Sequence, residues 1–107
     1  MSDNTIASTP ITLVESKAIT ESLYELTYTR PEGWDFEPGQ FARLGVKVES
    51  EPEPHFRAYS IASTPSEKVL RFLVKVILGG KVSPILTQMK VGETVLLEGE
   101  AQGNLLP

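Results

Sequence analysis

Cysteine is absent from all 107 residues. That removes disulfides, thiolate-held iron–sulfur clusters, cysteine zinc sites and cysteine nucleophiles. Histidine occurs once, at His55, so too few ligands remain for a structural metal, and no metal site is expected. Basic residues are outnumbered 10 to 14, a net charge of −4, whereas nucleic acid needs a concentrated basic surface. No nucleic-acid partner is expected. No apolar run approaches the roughly 20 residues that cross a bilayer, and the N-terminus carries no basic-then-apolar leader. The expectation is a cytoplasmic protein with no membrane association. Large rings are scarce too, with one Trp, three Tyr and four Phe.

What is present suits one ordinary domain: 40% hydrophobic and 22% charged residues, with length enough for a single core. Residues 1–10 are polar and read as a flexible N-terminus. Ile11 to Ile19 and Ser22 to Thr29 are strand-like and form a first hairpin. Arg30 to Gly39 holds two prolines and two glycines, a long connection in which Trp34 and Phe36 cap one end of the core. Gln40 to Val48 resumes as a strand, and Glu49 to Pro54 is an acidic, proline-broken linker. Phe56 to Ser63 is expected as the central strand, with a turn at Thr64 to Lys68. Val69 to Ile77 follows, with Phe72, Val74 and Val76 on one face and Arg71, Leu73 and Lys75 on the other. Such near-continuous apolarity requires protein or ligand over both faces.

After Gly79-Gly80, Ser83 is a good helix N-cap and Pro84 suits the first helical position. Val82, Leu86 and Met89 would press one face of this only helix onto the core. Thr94 to Gly99 is the last strand, and the tail from Glu100 is a loop. Six strands and one short helix, without strand–helix alternation, predict an all-β fold. It is a six-stranded antiparallel Greek-key barrel with one short capping α-helix.

Within the central strand, Arg57 and Tyr59 are two residues apart and so point the same way. An arginine fork suits phosphate, and a tyrosine ring offers a flat face to a planar heterocycle. A flavin nucleotide has both parts. The glycine pair before a helix start is a second place where backbone N–H groups could meet phosphate.

Arg57-Ala58-Tyr59-Ser60, then Gly80-Lys81-Val82-Ser83-Pro84, and upstream Pro38-Gly39-Gln40-Phe41 together resemble the flavin domain of the bacterial ferredoxin–NADP reductases, from about Ile11 to Leu106. The resemblance implies that Arg57 holds the pyrophosphate of FAD, that Tyr59 stacks on the isoalloxazine and that Ser60 lies near its reactive nitrogen. Tyr59 and Ser60 are thereby the catalytic positions, with Ala58 between them. It also implies mainly backbone contacts from Phe72, Leu73, Val74 and Lys75, and phosphate contacts from Gly80, Lys81, Val82 and Ser83. The implied function is the FAD-binding half of a ferredoxin/flavodoxin–NADP(+) reductase, relaying electrons between NADPH and the one-electron carrier ferredoxin or flavodoxin. Residues 11–107 would be the FAD-binding domain. A nucleotide-binding domain is expected to follow it, since no strand, glycine-rich turn and helix for a dinucleotide occurs here.

Two alternatives stand beside this. One is the flavin domain of an oxygenase-serving reductase that uses NADH or FMN. The other is a cofactor-free β-barrel that binds an oligonucleotide or a protein.

Overall fold

The computed structural model describes residues 7–103. Six strands and one helix follow in the order β1 (Ser8–Ala18), β2 (Leu23–Thr29), β3 (Phe41–Val46), β4 (His55–Ser60), β5 (Val69–Lys75), α1 (Ser83–Thr87) and β6 (Thr94–Glu98). Every ladder is antiparallel, in the spatial order β4-β3-β6-β1-β2-β5. No helix among the described residues is long and apolar enough to cross a membrane.

The first hairpin forms as the alternation predicts, with Ala18 opposite Tyr24 and Leu13 opposite Tyr28. β1 begins earlier than expected, because Ser8, Thr9 and Pro10 pair with Glu98, Leu97 and Leu96 of β6. The flexible segment expected over residues 1–10 therefore does not include Ser8–Pro10, while residues 1–6 lie outside the described residues. β1 serves two neighbours in turn: its first half pairs with β6 and its second with β2. The register shifts between Leu13 and Glu15, where an irregularity bends the strand and raises its twist.

That bend brings the two ends of the sheet around toward each other. They meet only at an isolated bridge between Ile61 and Phe72, with the Ala62 amide donating to the Arg71 carbonyl at 2.7 Å. The expected barrel is thus an open, strongly curled sheet. The motif strand β4, expected at the centre, is an edge strand: β3 covers one side of it, and among the described residues no ladder covers the other.

Inside the curl lie Leu13, Leu26, Tyr28, Leu44, Leu70, Phe72, Val74, Leu86 and Leu97, all fully buried. Strand alternation dictates all of this set but Leu86, which lies on the buried face of α1. Tyr28 meets Phe72 edge to face, with ring centroids 6.1 Å apart. Among the described residues the Tyr28 hydroxyl has no hydrogen-bond partner, and burial pushes its pKa upward. Trp34 and Phe36 are buried as core caps, and the Trp34 indole donates to the Glu98 carbonyl at 3.1 Å. On the outer surface Gly45 leaves room for the Phe56 ring, whose edge lies 2.6 Å from where a β-carbon would stand.

The long β2–β3 connection is held by Arg30. Its Nε donates to the Trp34 carbonyl at 2.9 Å, and its Nη1 donates to the carbonyls of Pro65 and Glu67 at 2.7 Å each. One side chain thus ties this connection to the β4–β5 turn. Arg30→Met removes all three bonds and leaves carbonyls underserved, which should cost about 2–3 kcal/mol of stability. Urea unfolding followed by Trp34 fluorescence measures this, and a loss below about 0.5 kcal/mol would mean that other contacts position the connection.

Candidate functional site

Beyond the Ile61–Phe72 bridge the facing edges of β4 and β5 diverge and stay unpaired. The gap is a cavity of about 440 Å³ lined by Arg57, Ala58, Tyr59 and Ser60 of β4, by Leu73 and Lys75 of β5, and by Ile77, Gly80, Lys81, Val82 and Ser83 beyond it. This is within the ~300–1,000 Å³ of ordinary ligand pockets. Ten of the twelve residues expected to touch a cofactor line this cavity. The other two, Phe72 and Val74, turn their side chains into the core and, in the alternation that points Arg71 toward β4 and Val76 toward β2, their backbone groups toward β2. The β5 peptide groups left for a ligand are therefore those of Leu73 and Lys75.

The register explains why Arg57 and Tyr59 face the gap. They lie opposite Leu44 and Ala42, both fully buried, and directly paired residues of antiparallel strands project to the same face. On an inner strand that face would meet the core. At the sheet edge it opens onto the seam. Tyr59 is half-buried and packs against the core, and burial raises its hydroxyl pKa while the nearby Arg57 charge partly opposes this. The ring therefore presents a neutral phenol and a flat face at physiological pH.

Among the described residues the Arg57 guanidinium donates only to the Phe56 carbonyl, at 2.8 Å. Among the described residues neither Arg57 nor Lys75 has a carboxylate within ion-pair distance. Lys81 has one, Glu51, at 3.5 Å. Three cations and no acid thus line the cavity. Two unpaired cations and a third shared with Glu51, around a partly apolar hollow, suit an anionic ligand with a flat hydrophobic portion.

The phosphate side differs from expectation in two respects. Helix α1 has only five residues, too short for an appreciable dipole to add to its N-terminal amides. Ser83 is not its cap: Val82 is, and the Ser83 hydroxyl instead accepts the Ile77 amide at 2.9 Å. That bond fastens the Ile77–Gly80 turn, in which Gly79 takes φ +80° and the Gly80 amide donates to the Ile77 carbonyl at 2.9 Å. Pro84 does occupy the first helical turn.

Sequence reasoning passed over Ile77 as a lining residue, although it continues the outward alternation of Leu73 and Lys75. It also missed Glu51, which lies 30 residues from Lys81 with nothing in local spacing to join them. As a test of fit, the cavity offers an aromatic face, apolar walls at Leu73 and Ile77, three cations and two unpaired strand edges. These are the contacts a flavin dinucleotide requires: a surface for its ring, charge for its pyrophosphate and backbone groups for its polar edges.

Comparison with known proteins agrees. Residues 10–105 match the family model described as the oxidoreductase FAD-binding domain. The chain is 35% identical over 94 residues to ferredoxin–NADP reductase A of Sorangium cellulosum (strain So ce56), covering 88% of this chain and 33% of that protein. It is 36% identical over 84 residues to the flavodoxin/ferredoxin–NADP reductase of Escherichia coli (strain K12), covering 78% of this chain and 33% of that protein. Among solved structures, a ferredoxin NADP+ reductase from Neisseria gonorrhoeae with bound FAD and NADP superposes with a TM-score of 0.85 at 33% identity, over 94% of this chain and 40% of that one. The chain spans about a third of the length of the curated relatives it matches.

The Ser83 hydroxyl gives a local test of the cavity wall. Ser83→Ala leaves the Ile77 amide without its acceptor and should cost about 1–2 kcal/mol. Amide hydrogen exchange should quicken at Ile77 and Gly80 while Leu70 in β5 stays protected. Unchanged exchange at Ile77 would show that the turn holds without the serine.

Proposed function

This chain belongs to the oxidoreductase FAD-binding domain family, its cofactor is FAD, and on that premise we propose that it is the flavin-holding part of a ferredoxin/flavodoxin–NADP(+) reductase. The observation that carries the proposal is the open β4–β5 seam, flanked by Arg57 and Tyr59 on one side and Lys81 on the other. FAD, when bound, supplies acceptance of a hydride as an electron pair and release of the electrons singly. The protein's part is to bind, orient and keep water away. Arg57 and Lys81 hold the pyrophosphate, Tyr59 lies against the isoalloxazine, and Ser60 stands near the reactive nitrogen. The edges of β4 and β5, through Ala58, Leu73 and Lys75, supply backbone donors and acceptors, with Phe72 and Val74 backing them from the core. Gly80, Val82 and Ser83 shape the phosphate end. In this reading the barrel expected from the sequence is completed by a ligand in the seam.

NADPH as hydride donor and ferredoxin or flavodoxin as acceptor are parts of the same proposal, supported by the kinship with whole reductases that are named for these substrates, and a cytoplasmic location goes with them as part of the proposal. Residues 11–107 form the flavin unit. Among the described residues all strand pairs are antiparallel, so the parallel strand–helix–strand unit that receives a dinucleotide is assigned to the further length the relatives have.

Arg57→Ala should weaken FAD binding about 10- to 100-fold, the loss of a charge-assisted bond of ~1.5–3 kcal/mol. Lys90→Ala, on the exposed turn away from the cavity, should change it by less than about five-fold. Titration of the apo-protein with FAD measures both, and equal losses would remove Arg57 from the site.

Reduction kinetics test the division of labour. Holding a donor against the ring can supply ~7–11 kcal/mol of a barrier in favourable cases. The FAD-loaded 107-residue chain should therefore bleach slowly with NADPH, with little preference over NADH, in stopped-flow absorbance. Fast, saturable, NADPH-selective bleaching would place the nucleotide site within these residues.

A further inference from the structure

The seam is closed by backbone at its Ile61–Phe72 end and spanned by side chains at the other. There Glu51, from the loop that leads into β4, sets one carboxylate oxygen 3.5 Å from Lys81 Nζ and the other 3.5 Å from His55 Nε2. The charge of Lys81 is the largest influence holding the Glu51 carboxyl below the usual carboxylate range, with a hydrogen bond from His55 next. Glu51 also shares a second hollow, of about 350 Å³, with Arg57, Arg43, His55 and Glu53. Arg57 lines this hollow and the main cavity alike. One carboxylate thus pairs with one of the three cations that the main cavity offers to an anion, Lys81, and shares a neighbouring hollow with a second, Arg57.

We propose that Glu51 is a built-in competitor for the cofactor's phosphates, its carboxylate occupying at Lys81 the place that a phosphate oxygen takes when ligand arrives. This rests on the reading of the main cavity as the FAD site. Binding is then an exchange of anions. Lys81 leaves Glu51 for phosphate, and Glu51, retained by His55, stays as a negative charge at the cavity mouth. Its effect falls only on ligands that carry phosphate. Glu51 thereby sets how firmly the chain retains FAD without touching the flavin ring.

Fluorescence titrations of the 107-residue chain with FAD and with riboflavin, which lacks phosphate, test this. Glu51→Gln keeps the shape and removes the charge. It should bind FAD about two- to five-fold more tightly than the parent, the scale of one exposed ion pair, and riboflavin equally well. The gain should vanish in the Lys81→Ala background and shrink at high salt. Unchanged or weaker FAD binding by Glu51→Gln overturns the proposal, as does an equal gain toward riboflavin. If riboflavin binds too weakly to titrate, the cycle with Lys81→Ala decides, and a gain that persists without Lys81 refutes the exchange. Failure of the parent chain to bind either flavin refutes the site itself.

Discussion

Two strand edges that come together and then part are the feature on which the rest of this molecule depends. A curled sheet with exposed backbone at both ends has two ways to satisfy it: close into a barrel, or offer the gap to something else. Here β4 and β5 make one bridge at Ile61 and Phe72 and then diverge, so unpaired backbone and the side chains beside it line a cavity rather than a core. The inward phase of β4 is what turns this gap into a site. Residues that would be core on an inner strand, at positions 57 and 59, are instead an arginine and a tyrosine. The placement of β4 at the edge makes a cation in that phase tolerable.

The electrostatics follow from the same placement. An acidic chain, at net charge −4, still gathers Arg57, Lys75 and Lys81 around one hollow with no acid in its lining. Elsewhere three arginines are occupied, Arg30 by carbonyls, Arg71 by Glu67 and Arg43 by Glu98, while Lys17, Lys47, Lys68 and Lys90 stand exposed to solvent. The contrast separates cations that hold the fold from cations left for a ligand. The carboxylate of Glu51 stands just outside the lining, and among the described residues it pairs with Lys81 and His55.

Much of the fold was legible because alternation is a local property. The hairpin of β1 and β2, the inward set of β5 and the buried caps Trp34 and Phe36 could all be read from neighbours in sequence. The face shared by Arg57 and Tyr59 was legible for the same reason. What escaped was non-local. Period-two patterning says which way a side chain points but not which strand lies alongside, so it points to β4 at the centre of a closed sheet, where the structure has it at an open edge. Ser83 fits the rule for a helix cap, yet the nearby Ile77 amide took its oxygen first. Ser8 to Pro10 look like a frayed end until β6 is available to pair with them.

That last pairing bears on how the chain is made. β1 is complete within the first 18 residues and finds β2 at once, but its first half waits for Thr94–Glu98, nearly the whole length of the chain later. At ordinary rates of synthesis of ~5–20 residues per second, that edge stands open for several seconds on a nascent chain. Pro10 lies in the middle of the waiting segment and has no backbone N–H to offer a stray strand. The first half of β1 thus carries its own guard against premature partners during translation.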